Sequence, residues 1–267
     1  MTKRLWPTTV VMLTLLFTGC AVTDTPFDRT PGTGSSGGSG LIGPTWLLEE
    51  LNGQPVVEGT FASLTFNDQG GLGGVGGCNV YGGDFTADGS QIDVDDSIVS
   101  TMMACDEPIM TQEFAFFEAL KSASAFTIEN TTLTLSDQDG SIVATFTAQS
   151  QDLAGTSWLV TAFNNGDEAV VSVLDGTAPA IDFGADGQVS GTAGCNRVVG
   201  GFTTAAGTIK FSPLATTQMF CAEPEGTMNQ ETRLLAALET AATYHIEGPR
   251  LEFRTADDAI AVQFTRV

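Results

Sequence analysis

Gly77-Cys78-Asn79, followed by Thr101-Met102-Met103-Ala104-Cys105, returns later in the chain as Gly194-Cys195-Asn196, followed by Thr217-Gln218-Met219-Phe220-Cys221. The pairing continues outward from these stretches. Thr45-Trp46-Leu47 returns as Ser157-Trp158-Leu159, and Asn52-Gly53 as Asn165-Gly166. Leu64-Thr65-Phe66 matches Ile181-Asp182-Phe183. Tyr81-Gly82-Gly83-Asp84-Phe85 matches Val199-Gly200-Gly201-Phe202, with one residue fewer. Met110-Thr111-Gln112-Glu113 returns as Met228-Asn229-Gln230-Glu231, and Ala119-Leu120 as Ala237-Leu238. So many matches in one order mean two copies of one unit, over residues 44–148 and 155–267. Each has the size of an autonomous domain.

Within a copy the pattern is mostly strand. Trp46–Leu51, Phe61–Phe66, Ser97–Met103, Leu133–Leu135 and Ile142–Phe146 are short, rich in β-branched or aromatic residues, and bounded by turn formers. Asp137-Gln138-Asp139-Gly140 reads as a hairpin turn. One segment has helical period instead: Met110, Phe114, Phe117 and Leu120 after Pro108, with Asp106 placed to cap it. Copy two offers Pro224, Met228, Leu235 and Leu238. The expected fold class is mainly β: two tandem small antiparallel barrels, each with one amphipathic helix packed across the sheet.

These residues resemble the META-domain family, the heat-shock-inducible bacterial lipoproteins of the HslJ type. The carrying residues are Trp46, Gly77, Asn79, Thr101 and Met103, and in copy two Trp158, Gly194, Asn196, Thr217 and Met219. The resemblance implies a partly open antiparallel β-barrel with a helix across it. It also implies an envelope protein linked to stress tolerance, without a known enzymatic activity.

The first residues read as an address. Lys3 and Arg4 precede a short apolar run, Val10 to Phe17, which ends in Thr18-Gly19-Cys20. That run falls short of the roughly 20 apolar residues that span a bilayer. Small residues directly before a Cys resemble the lipobox of bacterial lipoproteins. The resemblance implies cleavage after residue 19 and acylation of Cys20, and by the same family rule Ala21 favours the outer membrane over the inner. Residues 20–43, with Pro31 to Gly40 rich in Gly and Ser, are expected to be a flexible tether.

Charge excludes some partners. The chain carries 10 basic and 32 acidic side chains for a net charge of -22, which opposes any phosphate backbone. Residues 44–148 hold 16 acids and 1 base, and residues 154–267 hold 13 and 6. The excess on copy one is either a docking face for a basic partner or a solubilising surface.

Chemistry-bearing residues are few. Cys78, Cys105, Cys195 and Cys221 fall as one pair per copy, and in an exported protein the expectation is Cys78–Cys105 and Cys195–Cys221 disulfides. Free thiols or a metal pair are the alternatives. Gly71-Leu72-Gly73-Gly74-Val75-Gly76 matches a dinucleotide-binding string, with Asp93 about 20 residues on, but no helix opens after it. Its glycines are expected to permit tight bends. His245 has no counterpart in copy one and reads as a strand-surface residue. Asp93, Asp95 and Asp96, like Asp137 and Asp139, lack the ligand spacing of a calcium loop. No catalytic residue, metal or cofactor is expected. The expected function is lipid-anchored, non-enzymatic support of the envelope through binding to another envelope protein. The alternative is a periplasmic carrier or chaperone holding an apolar ligand inside a barrel.

Overall fold

The computed structural model describes residues 40–167 and 169–267. The leader 1–19, Cys20 and the tether up to residue 39 lie outside the described residues.

Repeat one runs β1 (Thr45–Leu51), β2 (Gln54–Pro55), β3 (Ser63–Phe66), β4 (Gly71–Val75), β5 (Val80–Asp88), β6 (Gln91–Val94), β7 (Val99–Ser100), α1 (Glu107–Ser122), β8 (Ala125–Glu129), β9 (Thr132–Ser136) and β10 (Ile142–Ala148). Eight of these strands form an antiparallel ring in the order β1-β3-β4-β5-β6-β8-β9-β10, while β2 and β7 are short additions on β1 and β5. The barrel is closed, not partly open: β10 pairs back on β1 from Trp46↔Ala148 to Leu51↔Ala144. Closure satisfies the backbone groups that an edge strand would leave free. The narrowest ladder is β6–β8, with the single pair Gln91↔Ala125.

Repeat two copies this with β11 (Thr156–Asn164), β12 (Val170–Ser172), β13 (Ala180–Phe183), β14 (Gln188–Thr192), β15 (Arg197–Ala205), β16 (Thr208–Phe211), β17 (Ala215–Thr216), α2 (Thr227–Thr240), β18 (Thr243–Glu247), β19 (Arg250–Arg254) and β20 (Ile260–Arg266). The ladder β11–β20 closes the second barrel. β5 and β15 are equal in length, and Phe85 and Phe202 occupy the same place in each. Tyr81 therefore corresponds to Val198 and Gly82 to Val199, with no residue missing. The shorter match suggested by the Gly-Gly pairs is corrected by the strand register.

Alternation along the strands sends every second side chain inward. Trp46, Leu64, Phe116, Leu133, Leu135 and Phe146 are fully buried in barrel one, and Trp158, Ile181, Phe183, Leu251, Phe253 and Phe264 in barrel two. Both repeats begin earlier than residues 44 and 155. Leu41 and Leu153 are buried, and the Trp46 indole donates to the Leu41 carbonyl at 3.0 Å.

The glycine-rich string is a strand, β4, not a set of tight bends. Its glycines answer close approach. A Cβ on Gly74 would lie 2.3 Å from the Ser63 carbonyl, and one on Gly76 would lie 2.9 Å from the Phe117 ring. Ser97–Met103 is largely loop, with only Val99–Ser100 paired to β5.

The helices are turned relative to the apolar spacing in the sequence. α1 buries Gln112, Glu113, Phe116, Ala119 and Leu120, leaving Met110 37% and Phe114 68% exposed. Two polar side chains face inward because the barrel offers them backbone partners, described below. Asp106 sits at the N-cap but its side chain makes no capping bond; its carbonyl accepts from Ile109 and Met110. α2 begins at Thr227, so Pro224 lies outside it. Phe116 carries α1 into the barrel, edge-on to Tyr81 and against Phe146. Truncating it to Ala should cost about 3–5 kcal/mol.

The β18–β19 hairpin of repeat two rests on repeat one. Ser63 Oγ donates to Glu247 at 2.6 Å, Thr45 Oγ1 meets His245 Nε2 at 3.3 Å, and the Arg250 guanidinium stacks over Phe61. His245 is thus a contact between repeats rather than a simple strand-surface residue. Gln151 fastens the connection, its side-chain amide donating to the Ile246 carbonyl and accepting from the Ile246 N–H, both at 2.8 Å.

Candidate functional site

The same construction appears at one corner of each barrel. In repeat one the turn Gly77-Cys78-Asn79 leads into β5, and Gly77 takes φ +124°, a conformation that strains any residue with a side chain. Asn79 is 2% exposed and uses both ends of its amide. Its Oδ1 accepts from the Met103 N–H at 2.7 Å and from the Thr101 hydroxyl at 2.8 Å. Its Nδ2 donates to Glu113 Oε1 at 2.7 Å. Glu113 reaches this point from α1, and its other oxygen accepts from the Asn79 N–H at 2.6 Å and the Cys78 N–H at 3.1 Å. The Cys78–Cys105 disulfide closes the circuit, with Cα atoms 6.0 Å apart.

Repeat two reproduces it bond for bond. Asn196 Oδ1 accepts from Met219 N–H and Thr217 Oγ1, both at 2.7 Å. Asn196 Nδ2 donates to Glu231 at 2.6 Å, and the Asn196 N–H reaches the same carboxylate at 2.7 Å. Cys195 and Cys221 are bridged. Four of the residues singled out by sequence in each copy (the Gly, Asn, Thr and Met) therefore meet at one place with the two cysteines. Trp46 and Trp158 do not join them; each lies in its barrel core.

Glu113 and Glu231 are the members that sequence reasoning did not single out. The repeated Gln-Glu pair in each helix was visible, but a charged residue on a helix reads as solvent-facing until a buried N–H cluster is known to await it. Each carboxylate accepts three hydrogen bonds and has no cationic partner among the described residues. The adjacent Gln112 and Gln230 accept from Val57 and Leu174 N–H, each at 2.6 Å, tying each helix to the loop before β3 or β13.

This network holds a loop whose side chains point away from the protein. Met102 is 98% exposed, Met103 54%, Met219 53% and Phe220 83%. The thiols are consumed as disulfides and the Thr hydroxyls as donors to Asn. What the corner offers is a pair of apolar tips on a rigid mount.

A second feature is a groove between each helix and the first hairpin. In repeat one it has about 570 Å³, with Leu51, Pro55, Val57, Pro108 and Ala115 on its walls. In repeat two it shrinks to about 320 Å³. There Arg233, at the position of Ala115, crosses to the Asn165 carbonyl at 3.1 Å and Asp167 at 2.8 Å.

Other candidates have local duties. Asp95 accepts from the Ser97 N–H and hydroxyl, which holds its carboxyl below the usual range, and Asp137 accepts from Asp139 and Ser141 N–H across its turn. Burial, reinforced by Glu247, pushes the Tyr81 phenol well above its ordinary value. Among the described residues no cluster of three or more His, Cys, Asp or Glu could hold a metal ion, and no helix is long and apolar enough to cross a membrane. The inward positions of both barrels are taken by their own side chains, which weighs against an apolar ligand inside them.

The chain is similar to proteins of known structure. An NMR structure of a protein from Burkholderia xenovorans is 24% identical, covering 43% of this chain and 83% of its own, with a TM-score of 0.37. A crystal structure of a DUF4847 family protein from Bacteroides vulgatus ATCC 8482 is 17% identical, covering 43% and 99%, with a TM-score of 0.31. No curated protein matches. The META domain profile matches twice, over residues 39–150 and 151–267. With the duplicated Gly-Cys-Asn and Thr-x-Met-x-Cys corners on two closed barrels, the chain belongs to the META-domain family as a tandem pair.

Proposed function

We propose that this chain is a lipid-anchored envelope protein that acts by binding, without catalysis, through the disulfide-mounted tips of its two repeats. The observation that carries the reading is the duplicated network around Asn79 and Asn196, which spends a buried carboxylate and a disulfide on presenting Met102, Met103, Met219 and Phe220 to the outside. A pre-ordered loop loses little conformational freedom on docking, so its apolar contacts are kept as affinity. Cys20 would supply the anchor, and a partner in the same envelope would be met at the tips. On this reading the protein supports the envelope under stress, on the outer membrane facing the periplasm.

Two measurements test it. Cys20→Ser should move the chain from the membrane fraction to the soluble envelope fraction; retention in the membrane would sink the anchor. A photocrosslinker at Met102 or Phe220 should join the chain to an envelope protein, while one on the opposite hairpin at Asp139 should not. Equal yields at all three positions would remove the tips from the binding role.

A further inference from the structure

The apolar surface is larger on repeat one than on repeat two. α1 lies against the tip: Glu113 reaches the Cys78-Asn79 turn, and Met110 and Phe114, one helical turn apart, flank Glu113. In repeat two the Cys221 N–H lies 3.4 Å from the Met228 sulfur, fixing the counterpart of Met110 beside the disulfide. So Met102, Met103 and Met110, exposed to 98%, 54% and 37%, border one disulfide, and Phe114, 68% exposed, continues the apolar side one turn further along α1. Repeat two has Thr232 in the place of Phe114 and keeps Met228 half-buried.

The border of this surface is acidic. Asp106 and Glu107 are exposed directly between the disulfide and Met110, with Asp95 and Asp96 before β7. None of these four joins an ion pair among the described residues. The one base of repeat one, Lys121, is already paired with Glu118. Methionines conform to varied apolar partners, and uncompensated carboxylates around them select for positive charge. In repeat two the strand beside the tip begins with Arg197 where repeat one has Val80, which offsets part of the charge of the exposed Glu223 and Glu225 that follow Cys221.

We propose that the Met102–Met103–Met110–Phe114 face of repeat one docks a cationic amphipathic segment of a partner protein, its apolar side on the methionines and its Lys or Arg residues toward Asp106 and Glu107. The assignment rests on the reading that the tips bind, and it names the chemistry that repeat one takes.

The test uses the full chain and synthetic peptides about five helical turns long. A Leu/Lys amphipathic peptide should bind with a dissociation constant in the micromolar range, weakening as salt rises. Met102→Ser with Phe114→Ser should weaken it about tenfold or more, while Phe220→Ser changes it less than about twofold. Both altered positions are exposed, and an unchanged melting temperature confirms folding. Asp106→Asn with Glu107→Gln, which leaves the apolar side chains in place, should flatten the salt dependence. Equal binding of a Leu/Glu peptide, no binding of the Leu/Lys peptide, or wild-type affinity in the Met102/Phe114 variant each overturns the proposal. Binding to phosphatidylcholine vesicles through the same residues, in place of the peptide, overturns it too. The crosslinking at Met102 and Phe220 is independent of these outcomes, so failure of the peptide leaves the broader reading separately testable.

Discussion

The two repeats keep one frame and differ where they meet the rest of the world. At the buried corner nothing has changed: Asn79 and Asn196 make the same bonds, to the same partners, within a few tenths of an ångström. Under the helix, volume has been exchanged. Repeat one pairs Gly76 with Phe117, and repeat two pairs Ala193 with Leu235 at the same positions. On the surface the differences are chemical: Phe114 against Thr232, Ala115 against Arg233, Val80 against Arg197. Constancy inside and divergence outside are what one mount carrying two different contact surfaces would show.

The largest effect should come from the shared corner. Glu113→Ala strands three buried donors and should cost barrel one about 4 kcal/mol. Glu231→Ala should cost barrel two the same, by denaturant unfolding with probes in each repeat. A clear inequality would break the equivalence. Reducing the disulfides comes next. They span 27 and 26 residues, so each should contribute about 3.5 kcal/mol in the chain-entropy account, and Cys105→Ser and Cys221→Ser should match. Gly76→Ala should cost about 2 kcal/mol, because the new methyl meets Phe117 and Glu113. Adding Phe117→Leu should recover much of that loss; purely additive effects in the double variant would refute the volume exchange. Arg233→Ala should cost less than about 1 kcal/mol and open the second groove toward the size of the first, seen as increased binding of an apolar dye.

Tyr81 gives a difference in pH response. Its folded-state value is raised, so its contribution is complete below the unfolded value near pH 10 and is lost as pH climbs beyond it. Val198 stands at the equivalent position in repeat two, where the raised phenol is instead that of Tyr244, lifted by burial on β18. Tyr81→Phe should therefore flatten the alkaline loss of stability in barrel one; an unchanged profile would assign that loss elsewhere.

The repeat itself, the strand-rich pattern and the pairing of the cysteines could be read from residue order, because duplication turns weak local signals into matched ones. β4 could not. The glycines in and just after it resemble bends until Ser63 is known to crowd Gly74 and the helix to press on Gly76, the latter a contact between residues about 40 apart in the chain. The inward turn of α1 escaped for a related reason: Met110 and Phe114 supply the apolar period, yet Gln112 and Glu113 win the interior through hydrogen bonds to turns elsewhere. The dependence of Asn79 on Thr101, Met103 and Glu113 is likewise invisible in spacing alone: all four recur in both copies, but a recurring glutamate on a helix reads as solvent-facing.

The ladder between β1 and β10 joins residues about 100 apart, Trp46 opposite Ala148. Neither barrel can close until its final strand is available. As the chain emerges amino end first, repeat one becomes foldable only once Ala148 is free, and the Ser63 face that later receives Glu247 must wait for a hairpin still to be delivered. The molecule is thus ordered in time as well as in space: first barrel, then second, then the contact between them.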